Sequence, residues 1–243
     1  GVRLVGSEMC IRDRDRLPSR INMGSMIQLK SSDDAVINAY HVEAVGERIG
    51  GLVLIMEIFG VTPHIKHLCD KFAEWGYEVI SPALYDRTQK NFQSNYSPES
   101  LKEAIHLRDT NKLEFTIFDS QAAIDQMKDK GPVYITGFCY GGSIAWLAAC
   151  RCTDLTAAAA YYGRLIVDFK DEQPLCPVIL HYGNNDESIP MEDVHLVASA
   201  QPDIPVYIYD AGHGFQSDRP SHYDHHAATL SWERTVAFFM ENG

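Results

Sequence analysis

From Ile27 onward the chain alternates short apolar runs with longer amphipathic stretches. The apolar runs predict strands at Ala35–Val42, Gly51–Ile58, Glu78–Pro82, Val133–Phe138, Ala157–Tyr162, Val178–Tyr182 and Val206–Tyr209. Several are apolar without interruption, as in Leu52-Val53-Leu54-Ile55-Met56. Such a run suits a strand covered on both faces, and hence a largely parallel sheet. Between the runs, helices are expected at His64–Trp75, Pro98–Leu107, Leu113–Lys128, Gly142–Cys150 and Met191–Ala200, with a long closing helix at Tyr223–Met240. Ala122, Ala123, Ile124 and Met127 keep helical spacing until Gly131-Pro132 breaks the element. The pattern defines an α/β fold with a mostly parallel central sheet and helices on both faces. Met56, Met127, Trp75, Trp146 and Trp232 are read as core residues.

Composition narrows what such a fold does. The chain of 243 residues has 21 Lys and Arg against 33 Asp and Glu, a formal net charge of −12. An acidic surface lacks the basic face that nucleic acid or anionic membrane requires. No stretch approaches the roughly 18 apolar residues of a membrane span, and no secretory signal opens the chain. The expectation is therefore a cytoplasmic protein without nucleic-acid or membrane partners, and a monomer by default. Residues 1–22 differ from the rest, with five Arg and three acidic residues, no Lys and no periodicity. The string GSEMCIRDR resembles translated sequencing-adapter read-through. This segment is expected to be non-native or disordered, with a native start at Met23 or Met26. The alternative is a basic tail for an acidic partner. Residues 23–243 are then one domain carrying about −14.

Six cysteines, Cys10, Cys69, Cys139, Cys150, Cys152 and Cys176, are too few and too irregular for a disulfide scaffold. Five read as packed or half-exposed thiols or fall in the odd N-terminal stretch. Cys139 stands apart. Gly137-Phe138-Cys139-Tyr140-Gly141-Gly142 follows an apolar strand and precedes an Ala-rich helix, which is the setting of a nucleophile elbow. Glycines two positions either side let the backbone close, and the helix N-terminus favours thiolate over thiol. The Tyr140 N–H is placed to stabilise an oxyanion. An elbow hydrolase then needs an acid after a later strand and a His after a still later one. Asp186, in Gly183-Asn184-Asn185-Asp186, and His213, in Ala211-Gly212-His213-Gly214-Phe215, occupy those places.

With Met56-Glu57-Ile58-Phe59-Gly60, Pro82-Ala83-Leu84-Tyr85 and Tyr161-Tyr162-Gly163, these motifs resemble the dienelactone hydrolase family of α/β-hydrolases, from about Met26 to the C-terminus. The resemblance implies a Cys139-His213-Asp186 triad, an oxyanion hole of the Ile58 and Tyr140 N–H groups, and a Glu57 that contacts the resting thiol until substrate displaces it. It also implies a small ester or lactone as substrate and no cofactor. Glu57 is notable on its own account, because a carboxylate at the end of an apolar strand is costly to bury without a role. Members acting on dienelactone hold its carboxylate with two arginines, and the register here places Leu101 and Ser217 at those positions. Arg87, Lys102 and Arg219 are the candidate replacements, Arg219 foremost because it shares a loop with His213. Two rival readings stay open at this level. One is a catalytically weak relative using Cys139 for redox sensing or ligand binding. The other is a metal site built from His64, His67, His222, His225 and His226. The polar stretch Asp86–Ser100 is expected to be a lid or a solvated loop.

Overall fold

The computed structural model describes residues 24–243. The expectations for residues 1–22 and for a start at Met23 lie outside the described residues. Eight strands form one sheet: β1 (Ser25–Lys30), β2 (Val36–Val42), β3 (Gly50–Ile55), β4 (Tyr77–Pro82), β5 (Val133–Phe138), β6 (Ala157–Tyr161), β7 (Val178–Gly183) and β8 (Val206–Tyr209). Their spatial order is β1-β2-β4-β3-β5-β6-β7-β8. The β1-β2 and β2-β4 pairings are antiparallel and the others parallel. The helices are α1 (Pro63–Glu74), α2 (Pro98–Thr110), α3 (Leu113–Asp125), α4 (Tyr140–Arg151), α5 (Met191–Ala200) and α6 (His225–Glu241). Among them none is long and apolar enough to cross a membrane.

Five of the expected strands are buried along their whole length: β3, β4, β5, β6 and β7. Alternate residues of β5 serve opposite layers. Tyr134 stacks on Phe239 of α6, while Gly137 faces Gly141 of α4. Phe72 of α1 stacks on Trp232 of α6 at 4.1 Å, so α1 and α6 cover one face together. α3 and α4 pack against each other and against β3. At the left of the sheet, β1 was absent from the strands read from sequence. It is an outer strand with only Leu29 fully buried, held by its ladder to β2 rather than by an apolar run. All parallel strands point their C-terminal ends one way, and the loops there carry Glu57, Cys139, Tyr162, Asp186 and His213. That edge is where open α/β sheets place ligands.

Candidate active site

Cys139 sits between β5 and α4 with φ 57° and ψ −117°. This conformation is strained for a residue with a β-carbon and costs on the order of 1–3 kcal/mol, which the surrounding packing must impose. The glycines impose it. A β-carbon on Gly137 would strike the Gly141 carbonyl, and one on Gly141 would strike the carbonyls of Ile55 and Met56. The first turn of α4 is thereby pressed onto the end of β3. Cys139 N–H donates to the Tyr161 carbonyl at 3.1 Å, tying the elbow to β6. Tyr140 opens α4, so its N–H has no acceptor within the helix. Ile58, buried in the turn that follows β3, is brought to the same side.

His213 Nδ1 lies 2.7 Å from Asp186 Oδ2. The other carboxylate oxygen accepts from the backbone N–H of Ser188 at 2.8 Å and Ile189 at 3.2 Å. The Asp186 side chain is 1% exposed, so both oxygens are spent on orientation. The His213 ring also interacts with the Cys139 side chain. Burial opposes the imidazolium, but the hydrogen bond to Asp186 and the neighbouring Cys139 outweigh it and push the His213 pKa up to about 10. Asp186→Asn is expected to lower that pKa, because it removes a negative charge from Nδ1. An NMR pH titration of the His213 ring checks this, and an unmoved pKa contradicts it.

Glu57 is 1% exposed and its Oε2 has no hydrogen-bond partner. Burial pushes its pKa up to about 7, offset in part by the charges of Arg219 and His213. A carboxyl so placed is only partly ionised at neutral pH. Arg219 lies over the rings of Phe59 at 4.8 Å and Tyr96 at 5.7 Å, and its Nε donates to Ser217 Oγ at 3.0 Å. This cation borders the site. Arg87 is engaged elsewhere: its guanidinium is bound by Asp33 and Asp119, at 2.5 and 2.7 Å. Arg87 is therefore withdrawn as a substrate-binding candidate, since two carboxylates already saturate it. Lys102 projects from α2 into solvent.

Asp86–Ser100 lies against this wall of the site. Ser94 N–H donates to the Phe59 carbonyl at 2.9 Å, Gln93 bridges to Gly60, and Tyr96 packs edge-on against Phe59 at 4.9 Å. Sequence reasoning gave no individual role to Tyr162, whose ring meets His213 at 5.1 Å and whose backbone has φ 38°. Its place at a strand end within Tyr161-Tyr162-Gly163 was the available signal.

Among the described residues, metal-ligating side chains converge at His41, Glu43 and Glu78 rather than at the histidines singled out from sequence. Arg48 and Lys130 each hold Glu78 at 2.8 Å, so that carboxylate is already neutralised. The other described thiols are unlike Cys139 in setting. Burial pushes Cys150 and Cys152 up to about 12 and Cys176 up to about 11, and Cys69 is fully buried.

A parallel sheet with an antiparallel edge, a strained cysteine elbow and an Asp-oriented histidine on successive strand ends define an α/β-hydrolase. The sequence profile of the dienelactone hydrolase family matches residues 37–243. The chain belongs to that family. A Yersinia pestis protein named "Putative carboxymethylenebutenolidase" is 33% identical over 217 residues, covering 79% of this chain and 78% of its own. An Escherichia coli K12 protein of the same name is 34% identical over 221 residues, covering 79% and 77%. A crystal structure described as a "Putative Dienelactone Hydrolase" from Klebsiella pneumoniae superposes with a TM-score of 0.78. It is 28% identical, over 90% of this chain and 98% of that one.

Proposed function

We propose that this member of the family hydrolyses small esters or lactones through a thioester on Cys139. The observation that carries the reading is the 2.7 Å His213–Asp186 contact, with the opposite side of the imidazole turned to a cysteine held in a strained elbow. In the proposed cycle the thiol proton resides on His213, whose imidazolium is favoured beside Asp186 and the sulfur, and the Cys139 thiolate attacks the carbonyl carbon. The oxyanion is held by the N–H groups of Ile58 and Tyr140. Collapse expels the alkoxide, which takes the proton from His213 and leaves a thioester. Water then attacks, its proton passing to His213. The carboxylic acid departs as the sulfur leaves and is reprotonated. From a lactone both products remain one molecule, a hydroxy acid.

The buried Glu57, with its oxygen unpartnered and its pKa near neutrality, supports a role as the resting partner of the thiol proton. Arg219 supports recognition of a substrate carboxylate, because it is a cation over aromatic rings at the rim of the site. Arg219→Ala is expected to raise KM for a carboxylate-bearing ester by about 10- to 100-fold, the value of one charge-assisted hydrogen bond. A neutral ester of the same size is affected less. Equal KM changes for both esters would remove Arg219 from substrate recognition. Hydrolysis itself is tested with a panel of activated esters and lactones: an initial burst of alcohol, stoichiometric with protein, followed by steady turnover supports the thioester.

A further inference from the structure

Buried polar atoms almost always find hydrogen-bond partners, so those that do not mark a place built for something else. Seven such side-chain atoms occur among the described residues, and five belong to Glu57, Tyr85, Asn111, Tyr140 and Tyr162. Tyr85 and Tyr162 lie within electrostatic reach of Cys139, and Tyr140 follows it in the chain. Glu57 and Tyr162 interact with each other and lie on the Arg219 side. Tyr85, Tyr140 and Asn111 form a separate group. The Tyr85 and Tyr140 rings stack at 6.3 Å, the Asn111 side chain comes within hydrogen-bonding reach of the Tyr140 hydroxyl, and the Tyr85 hydroxyl is within electrostatic reach of Cys139.

The chemistry of this group is specific. All three residues are more than nine-tenths buried, at 2%, 4% and 8% exposure for Tyr85, Tyr140 and Asn111. Asn111 ends α2, and its amide nitrogen donates to the Leu84 carbonyl at 3.1 Å. That bond fixes the amide and leaves the oxygen as the free acceptor. The nearby cation, Arg108, is chelated by its neighbour Asp109 at 2.7 Å. The group therefore offers two phenolic O–H groups and one amide oxygen without net charge. A carboxylate would find no free cation there, and an alkyl group would leave the Tyr85 hydroxyl and the Asn111 oxygen unmet, at a cost that a hydroxyl avoids by both donating and accepting.

We propose that Tyr85, Tyr140 and Asn111 form a subsite for a hydroxyl group carried beside the scissile carbonyl. The favoured substrates are then esters of hydroxy acids or hydroxylated lactones. This rests on the hydrolase reading above, with Cys139 as the attacking group. Discrimination of this kind is large, because the analogue lacking the hydroxyl strands buried polar atoms.

The test compares phenyl butanoate with phenyl 2-hydroxybutanoate and phenyl 3-hydroxybutanoate, each kcat/KM divided by the ester's rate of alkaline hydrolysis. The wild-type protein is expected to favour one hydroxylated ester by at least about tenfold, and Tyr85→Phe and Asn111→Leu to bring that ratio within about threefold of unity. All three esters are measured on one preparation, so any loss of folded protein cancels from the ratio. Turnover of all three esters at similar normalised rates overturns the subsite and leaves the hydrolase reading standing. A preference that survives both substitutions also overturns it. Absence of turnover of every ester overturns the hydrolase reading and the subsite with it.

Discussion

Replacing Cys139 with alanine is expected to lower kcat by about 10⁴- to 10⁶-fold for any ester the protein turns over, the range seen when a nucleophile is removed from an assembled triad. The size of the effect follows from cooperation. In the proposed mechanism, loss of the sulfur leaves His213 and Asp186 with no thiol to activate, and the Ile58 and Tyr140 N–H groups with only the slow attack of water to stabilise. The substitution itself is mild for the fold: alanine keeps the β-carbon that Cys139 already carries at φ 57°. Intact-protein mass spectrometry gives an independent readout. An activated ester adds the acyl mass to wild-type protein and not to Cys139→Ala. A variant that kept a tenth of the activity would rule out the thioester route.

The second large effect concerns stability. Arg87→Met is expected to destabilise the fold by about 3–5 kcal/mol, because it leaves a buried carboxylate unpaired. Asp119 is 0% exposed, receives three hydrogen bonds from Arg87, and accepts one more from Ser31 Oγ at 2.5 Å. After the substitution only Ser31 remains of those partners. For a domain of this size the loss amounts to roughly 6–20 °C in Tm. Differential scanning calorimetry measures it, and kcat/KM per folded molecule is expected to stay at the wild-type level. The opposite pattern, an unchanged Tm with a raised KM, would restore Arg87 as a substrate contact.

Arg87 also shows why part of the site was not legible in the sequence. Next to Pro82-Ala83-Leu84-Tyr85 it is as plausible a substrate cation as Arg219. Its two partners lie 54 and 32 residues away along the chain, and nothing local reveals that the β1–β2 turn, α3 and the segment after β4 converge. Asn111 was overlooked for a similar reason. A polar residue at a helix end reads as a cap, and only its approach to Tyr140 gives its free oxygen a context. The first strand escaped because a ladder on an outer strand needs few apolar side chains.

Local constraints were readable from the sequence itself. Continuous apolar runs determined which segments became buried strands, and the glycines around Cys139 determined the elbow, because neither depends on what lies far along the chain. Chain order also placed Asp186 and His213 after successive later strands. The tertiary structure alone decided which charges reach the site. Coulomb and hydrogen-bond forces act over a few ångströms of space, whereas sequence records only separation along the backbone. That is why Arg219 borders the site while Arg87 is locked between Asp33 and Asp119, and why the unpartnered oxygens of Tyr85, Tyr140 and Asn111 became visible only once the chain was folded.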